Sequence, residues 1–450
     1  MKRTAHALPV DYRPGAARFD AIAADAGAIW LDSGRGPQGR YDIIACAPER
    51  QASLTHEALA ALGSGRGAGV FGMLEQWLKP CGNAALPFCG GVMGFLGYDL
   101  NHWLEQLPPL PPGAADFPVA WLAYYPWALV QDNQAQRAWL VGDSAESLRD
   151  AGAALTRMDA AAARDEDFRL LEPWRASMTP DQYRQGVAAI RDYIVAGDCY
   201  QVNLARHFHA RYAGSPWQAY QRLRQRLPSP FSAFLNTGHG CLLSHSPERL
   251  LRCVDGQVTT SPIKGTRPRD ADPARDRQLA RQLLDSGKDR AENLMIVDLL
   301  RNDLGRSCQP GSIRVDALFA LQSYANVHHL VSTISGRLRD DVSPAQALRH
   351  AFPGGSITGA PKIRAMEIIG ELEPVARSAY CGSVFYLSND GRLDSSIAIR
   401  SLVADGRELH CWGGAGIVAD SDPAAELAET RSKIELLLST LAAEPGGAAR

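Results

Sequence analysis

Gly240-Cys241-Leu242-Leu243-Ser244-His245-Ser246-Pro247-Glu248-Arg249-Leu250-Leu251, followed closely by Gln257-Val258-Thr259-Thr260-Ser261-Pro262-Ile263-Lys264-Gly265-Thr266, decides the reading of the fold. Both runs are apolar or branched in character and bounded by Gly and Pro, so they read as neighbouring strands. Further strand-like runs lie at 199–212, 379–387 and 395–403, again in hairpin-like pairs. Helical runs at 273–284, 289–304, 361–370 and 423–441 are grouped between the pairs and do not alternate with single strands. That grouping predicts an α+β fold with antiparallel sheet.

Upstream the boundary is clear. Thr179 is a candidate N-cap and Pro180 suits the first helical position. Tyr183, Val187, Ile190 and Ile194 recur with helical spacing, and Gly197 stops the helix. Before it, residues 1 to about 142 hold short strand-like runs such as 40–46 and 121–131, with a Pro/Gly loop at 107–113. The Ala- and Asp-rich stretch 143–175 reads as a helix plus linker. Two domains are expected, 1–160 and 175–442, with a frayed end beyond 442 and no internal repeat.

Bulk composition excludes several classes. The 450 residues are 46% hydrophobic and 21% charged, with a formal net charge of -2, so no basic field points to nucleic acid. No apolar run approaches the roughly 20 residues that cross a bilayer, and residues 1–12 lack the apolar core of a signal peptide. Nine scattered cysteines without a C-x-x-C pair fit reduced, buried thiols, so a cytoplasmic location is expected.

Several constellations carry chemistry. Asp422-Pro423 starts a helix on which Glu426, Glu429 and Lys433 share one face; Glu292 sits near the start of 289–304. Taken alone, acidic residues at helix starts are better explained by the macrodipole, yet two carboxylates on separate helices are also what Mg²⁺ takes. The turn Gly354-Gly355-Ser356-Ile357-Thr358-Gly359-Ala360-Pro361-Lys362 runs into a helix, with Pro361 expected at its first position and backbone N–H groups free for an anion. It lacks a P-loop ending, and Gly413-Gly414-Ala415-Gly416 is a second such turn; simple tight turns account for both equally well. Lys264 at a strand end is either a snorkelling surface lysine or, if desolvated, an amine nucleophile. Glu248 nearby then suits proton donation to a leaving hydroxyl.

From about 179 to 441 these pieces resemble the chorismate-utilising enzymes: the anthranilate, aminodeoxychorismate, isochorismate and salicylate synthases. The matching motifs, in order, begin with Asp289-Arg290-Ala291-Glu292-Asn293-Leu294 and Arg301-Asn302-Asp303-Leu304-Gly305. Val327-His328-His329-Leu330-Val331-Ser332, Gly355 to Lys362, Ile397-Ala398-Ile399-Arg400, Gly414-Ala415-Gly416-Ile417-Val418 and Asp422-Pro423 through Lys433 follow. The resemblance implies two packed antiparallel sheets flanked by helices, with the substrate in a central cleft. It implies Glu292 and Glu429 as Mg²⁺ ligands with Glu426 nearby. Arg400, Gly414, Ala415, Gly416, Lys433, Thr358 and Gly355 are implied around the substrate carboxylates. His329 is implied beside the ring and Glu248 as general acid.

Two positions discriminate within the family. Anthranilate synthases carry P-I-A-G-T where this chain has Pro262-Ile263-Lys264-Gly265-Thr266, the form of the aminodeoxychorismate synthases. There the lysine amine attacks C2 as the C4 hydroxyl departs, and ammonia then displaces it at C4. Isochorismate and salicylate synthases use a general-base lysine where this chain has Gln201 of Gln201-Val202-Asn203-Leu204-Ala205-Arg206. The resemblance therefore implies the large subunit that makes 4-amino-4-deoxychorismate on the route to 4-aminobenzoate and folate. Anthranilate synthase component I and a non-catalytic tryptophan- or chorismate-binding subunit are the alternatives.

The N-terminal part resembles the family's first domain at Tyr41-Asp42 and at 90–99. Trp30-Leu31-Asp32-Ser33 is a degraded form of the L-L-E-S motif by which anthranilate synthases bind feedback tryptophan, so no tryptophan control is expected. A structurally bound tryptophan stays open beside simple packing. The chain has no Cys-His-Glu amidotransferase domain and no room for a fused pyridoxal-phosphate lyase, so a separate glutamine amidotransferase subunit is expected to supply ammonia.

Overall fold

The computed structural model describes residues 6–34, 39–62, 68–82, 84–160, 167–324 and 327–442. The expected frayed end and part of the linker, 161–166, lie outside them. Among the described residues, thirteen strands form a first sheet and ten form a second. Every strand pairing in them is antiparallel, as between Gln201–Gly214 and Glu408–Ile417 or Gly91–Leu96 and Ser383–Ser388.

Strands from before and after the 143–175 stretch share both sheets. Ile29–Asp32 pairs with Phe231–Asn236 in the first sheet, and Gly91–Leu96 with Ser383–Ser388 in the second. The stretch itself carries the helix Ala145–Ala160.

In the first sheet successive side chains feed opposite cores. Ile29, Ile43 and Leu235 enter the large core shared with the second sheet. Their neighbours Trp30, Ile44 and Phe234 enter the core on the other face, with Trp217 and Ile434 from the covering helices.

Three runs that read as single strands are each broken between the sheets. Cys241–Ser246 belongs to the first sheet and Arg249–Val254 to the second, with Pro247 and Glu248 in the passage. Leu393–Ile397 belongs to the second and Ser401–Ala404 to the first, with Ala398, Ile399 and Arg400 between. Ala120–Tyr125 and Trp127–Asp132 divide in the same way at Pro126. Proline has no N–H for a ladder, which makes it a natural point for a strand to leave its sheet.

The helices around these passages follow local signals. Pro180–Ala196 carries the full capping box between Thr179 and Gln182 and ends on Gly197 at φ 85°. Gly287–Gly305 is capped by the Ser286 side chain. Pro423–Ala442 lies on Glu408–Ile417 so closely that a Cβ on Gly413 would stand 2.9 Å from Ile434 Cγ2. One expectation is corrected: the helix after the Gly-rich turn runs Lys362–Leu372, and Pro361 is its N-cap, extended at ψ 144°.

Candidate active site

Glu248 follows Pro247 in the first passage between sheets, and Lys264 follows Pro262 in the edge strand Ile263–Pro268. Both line one cavity of ≈760 Å³, whose wall also draws on the helices Gly287–Gly305 and Pro423–Ala442. Glu292, His329, Arg400, Gly414, Gly416, Glu426, Glu429 and Lys433 line the same cavity.

Three expected residues do not. Ala415 points to the opposite face of its strand, fully buried in the core, as alternation between Gly414 and Gly416 requires. Gly355 packs against helix Gly287–Gly305, where a Cβ would stand 2.5 Å from Leu299 Cδ2. Thr358 is fully buried and spends its hydroxyl on the Gly354 carbonyl at 3.1 Å. Ser356 and Ile357 form that part of the wall instead.

The acid and the amine are shifted in opposite directions. Burial pushes the Glu248 carboxyl up to about 6, against the opposing pull of the Ser356 hydroxyl, the Lys264 cation and the Ile263 N–H. Burial lowers the Lys264 ammonium, Glu292, Glu248 and Glu429 raise it, and Lys433 lowers it further. These carboxylates act on the amine through space. A carboxyl whose hold on its proton is strengthened and an amine whose hold is weakened, lining one cavity, have the makings of an acid–nucleophile pair.

Arg400 sits in the second passage at φ 49°, a left-handed conformation that costs a non-glycine residue about 1–2 kcal/mol. Burial alone lowers its guanidinium, with no anion among the described residues offsetting it. A cation enclosed in that way calls for a ligand carboxylate. His329 is held near 4, chiefly by burial and then by Arg400, so its ring is neutral; Nδ1 lies 2.8 Å from Thr266 Oγ1.

Across the cavity the carboxylates meet lysines. Lys433 Nζ pairs with Glu429 at 2.8 Å and donates to the Gly414 carbonyl at 3.1 Å. Lys288 Nζ is 3.9 Å from Glu292, and Ser421 donates to Glu426 at 2.6 Å. Burial raises Glu292 and Glu426. Burial acts upward on Glu429, but Lys433, Lys288 and Lys264 together outweigh it and the carboxyl is lowered. Among the described residues no three His, Cys, Asp or Glu side chains are gathered tightly enough to hold a metal ion. Glu292 and Glu429 nevertheless supply oxygen donors from two helices to one cavity, a set that fits a hard divalent cation retaining several waters.

Sequence reasoning gave no role to Ser356, Asn203, Tyr380 or Lys288, all in the wall. Gln201 is fully buried behind it, and neither end of its amide has a hydrogen-bond partner among the described residues. A second cavity of ≈510 Å³ is lined by Leu31, Asp32, Ser33, Tyr41 and Tyr386 among others. The Asp32 carboxylate is engaged by Arg224, by the Tyr220 hydroxyl at 2.9 Å and by the Gly34 N–H at 2.9 Å, none of which lines that cavity. All nine cysteines are buried and free, and no helix among the described residues is long and apolar enough to cross a membrane.

Fold and cavity together define a chorismate-binding enzyme. The model of the chorismate binding enzyme family matches residues 27–439, and the chain belongs to that family. The aminodeoxychorismate synthase component 1 of Klebsiella aerogenes is 44% identical over 449 residues, covering 96% of this chain and 98% of that protein. Its Escherichia coli counterpart is 46% identical over 433 residues, covering 92% and 93%. Among solved structures, anthranilate synthase component I from Streptococcus pneumoniae superposes with a TM-score of 0.79 at 30% identity, covering 89% of this chain and 92% of that one.

Proposed function

We propose that this chain is the chorismate-aminating component of an aminodeoxychorismate synthase, making 4-amino-4-deoxychorismate. The observation that carries the reading is the pairing of Lys264 and Glu248 on one cavity with their proton affinities moved in opposite directions. Neutral Lys264 attacks C2 of chorismate. Both ring double bonds shift, and the C4 hydroxyl leaves as water with the proton of Glu248. Ammonia then attacks C4, both double bonds return, and the lysine amine is expelled.

Arg400 and Lys433 neutralise the substrate carboxylates, whose burial would otherwise be prohibitive. The neutral ring of His329 packs beside the substrate ring. Glu292 and Glu429, with Glu426 close by, would hold Mg²⁺, which when bound supplies positive charge for a substrate carboxylate. A separate glutamine amidotransferase subunit delivers the ammonia, in keeping with relatives named component 1. The second cavity is where a structural tryptophan would sit; with Asp32 already committed to Arg224, it is not a feedback site.

Purified protein with chorismate, Mg²⁺ and an ammonium salt tests the reading. The expected product is 4-amino-4-deoxychorismate, converted to 4-aminobenzoate only when a lyase is added. Fluorescent 2-aminobenzoate appearing without a lyase would identify an anthranilate synthase, and no turnover would favour a binding subunit.

A further inference from the structure

We propose that Ser356 is a positioning residue for the proton donor: its hydroxyl occupies Oε1 of Glu248 and thereby leaves the transferable proton on Oε2. The proposal rests on Glu248 being the general acid. Ser356 is 8% exposed, Glu248 is 5% exposed, and Ser356 Oγ donates to Glu248 Oε1 at 2.8 Å. Both residues line the cavity.

A carboxylic acid carries its proton on either oxygen. A proton on Oε1 would confront the hydrogen that Ser356 already directs there, so the tautomer with the proton on Oε2 is favoured. On transfer, that proton goes to the departing C4 oxygen, water leaves, and Glu248 becomes a carboxylate still held at Oε1 by Ser356. Ser356 keeps its own proton throughout.

The hydroxyl is fixed because its turn is fixed. Gly355 abuts Leu299, leaving no room for a side chain. Arg377 Nη1 donates to the Ile357 carbonyl at 3.2 Å, and the Asn203 N–H donates to the Thr358 carbonyl at 2.8 Å. Glu248 is itself tied down, since Ser246 Oγ accepts its N–H at 3.2 Å. Donor and acceptor are therefore both set by backbone.

Three variants decide the matter: Ser356→Ala, Ser356→Thr and Glu248→Gln, each assayed for kcat and KM across pH with the whole chain. In Ser356→Ala, kcat falls about tenfold, the scale of one lost hydrogen bond to a charged group, while KM for chorismate stays within about twofold. The hydroxyl favours the carboxylate form, so its loss moves the inflection near pH 6 upward by about one unit. Ser356→Thr, which keeps a hydroxyl, restores both. An unmoved inflection in Ser356→Ala, or a loss carried wholly by KM, overturns the proposal. If the inflection vanishes in Glu248→Gln but is unmoved in Ser356→Ala, Ser356 alone loses its role. If it persists in Glu248→Gln, the reading of Glu248 as the acid falls as well.

Discussion

Glu248 and Arg400 stand on two passages between the sheets, and those passages are bonded to each other. The Glu248 carbonyl accepts the Ile397 N–H at 3.0 Å, and the Arg400 carbonyl accepts the His245 N–H at 3.1 Å. The proposed proton donor and the proposed carboxylate clamp thus share one backbone frame. Neither depends on a mobile loop.

For Arg400→Ala, KM for chorismate should rise roughly 10- to 100-fold, the worth of a charge-assisted hydrogen bond of about 1.5–3 kcal/mol. Steady-state kinetics check this, and an unchanged KM would remove Arg400 from the substrate's carboxylate partners.

Glu248 should destabilise the protein at neutral pH. Its folded value of about 6 lies above the ordinary 4.5, so the folded state binds the proton more tightly than the unfolded chain. Stability from this group is full below pH 4.5 and is lost as pH rises through 6. Glu248→Gln, which cannot ionise, should therefore be more stable at pH 7 by about 2 kcal/mol. Denaturant melts at pH 7 and pH 4 check it; a gap of equal size at both would contradict the cause.

Magnesium affinity should depend on the pair of helices. Glu429→Gln should weaken Mg²⁺ binding, measured by calorimetry, by roughly tenfold or more, since even outer-sphere partners contribute about 10–100-fold. An unaltered titration would take Glu429 off the ligand set.

Arg377 offers a stability test away from the reacting atoms. It is 1% exposed, pairs with Glu373 at 2.6 Å and donates to the Asn203 carbonyl at 2.6 Å. Its guanidinium lies 4.7 Å from the centre of the Tyr98 ring. Arg377→Met would leave Glu373 buried without its cation, holding only the Ala205 N–H at 2.8 Å, at a cost of about 3–5 kcal/mol. Urea unfolding midpoints measure that loss.

What the sequence made legible follows from how local each signal is. The helix Pro180–Ala196 was readable because Thr179, Pro180 and Gly197 act within their own turns. The runs 240–251, 395–403 and 121–131 were readable as strands, but their breaks were not. Periodicity records which residues alternate and is silent on which sheet they join, although Pro247 and Pro126 stood at two of the breaks. For the same reason the shared sheets of the N- and C-terminal strands, a matter of long-range pairing, left no local trace.

The site was legible mainly through motif resemblance. On residue pattern alone, the bland explanation of Glu292, Glu429 and Lys264 was the better one. Ser356 was visible inside a Gly-rich turn, yet its bond to Glu248 spans 108 positions and has no local signature. Ala415, Gly355 and Thr358 belonged to the right motifs but lie outside the cavity wall, since a motif match does not report which way a residue faces.

The central claim concerns Lys264, and mass spectrometry of its peptide tests it most directly. Protein quenched during turnover with chorismate and Mg²⁺, with ammonia withheld, should carry an adduct of chorismate less one water on the Lys264 peptide. The Lys264→Ala variant should carry none. An unmodified Lys264 peptide, together with undiminished formation of the 4-amino product by Lys264→Ala, would contradict the account.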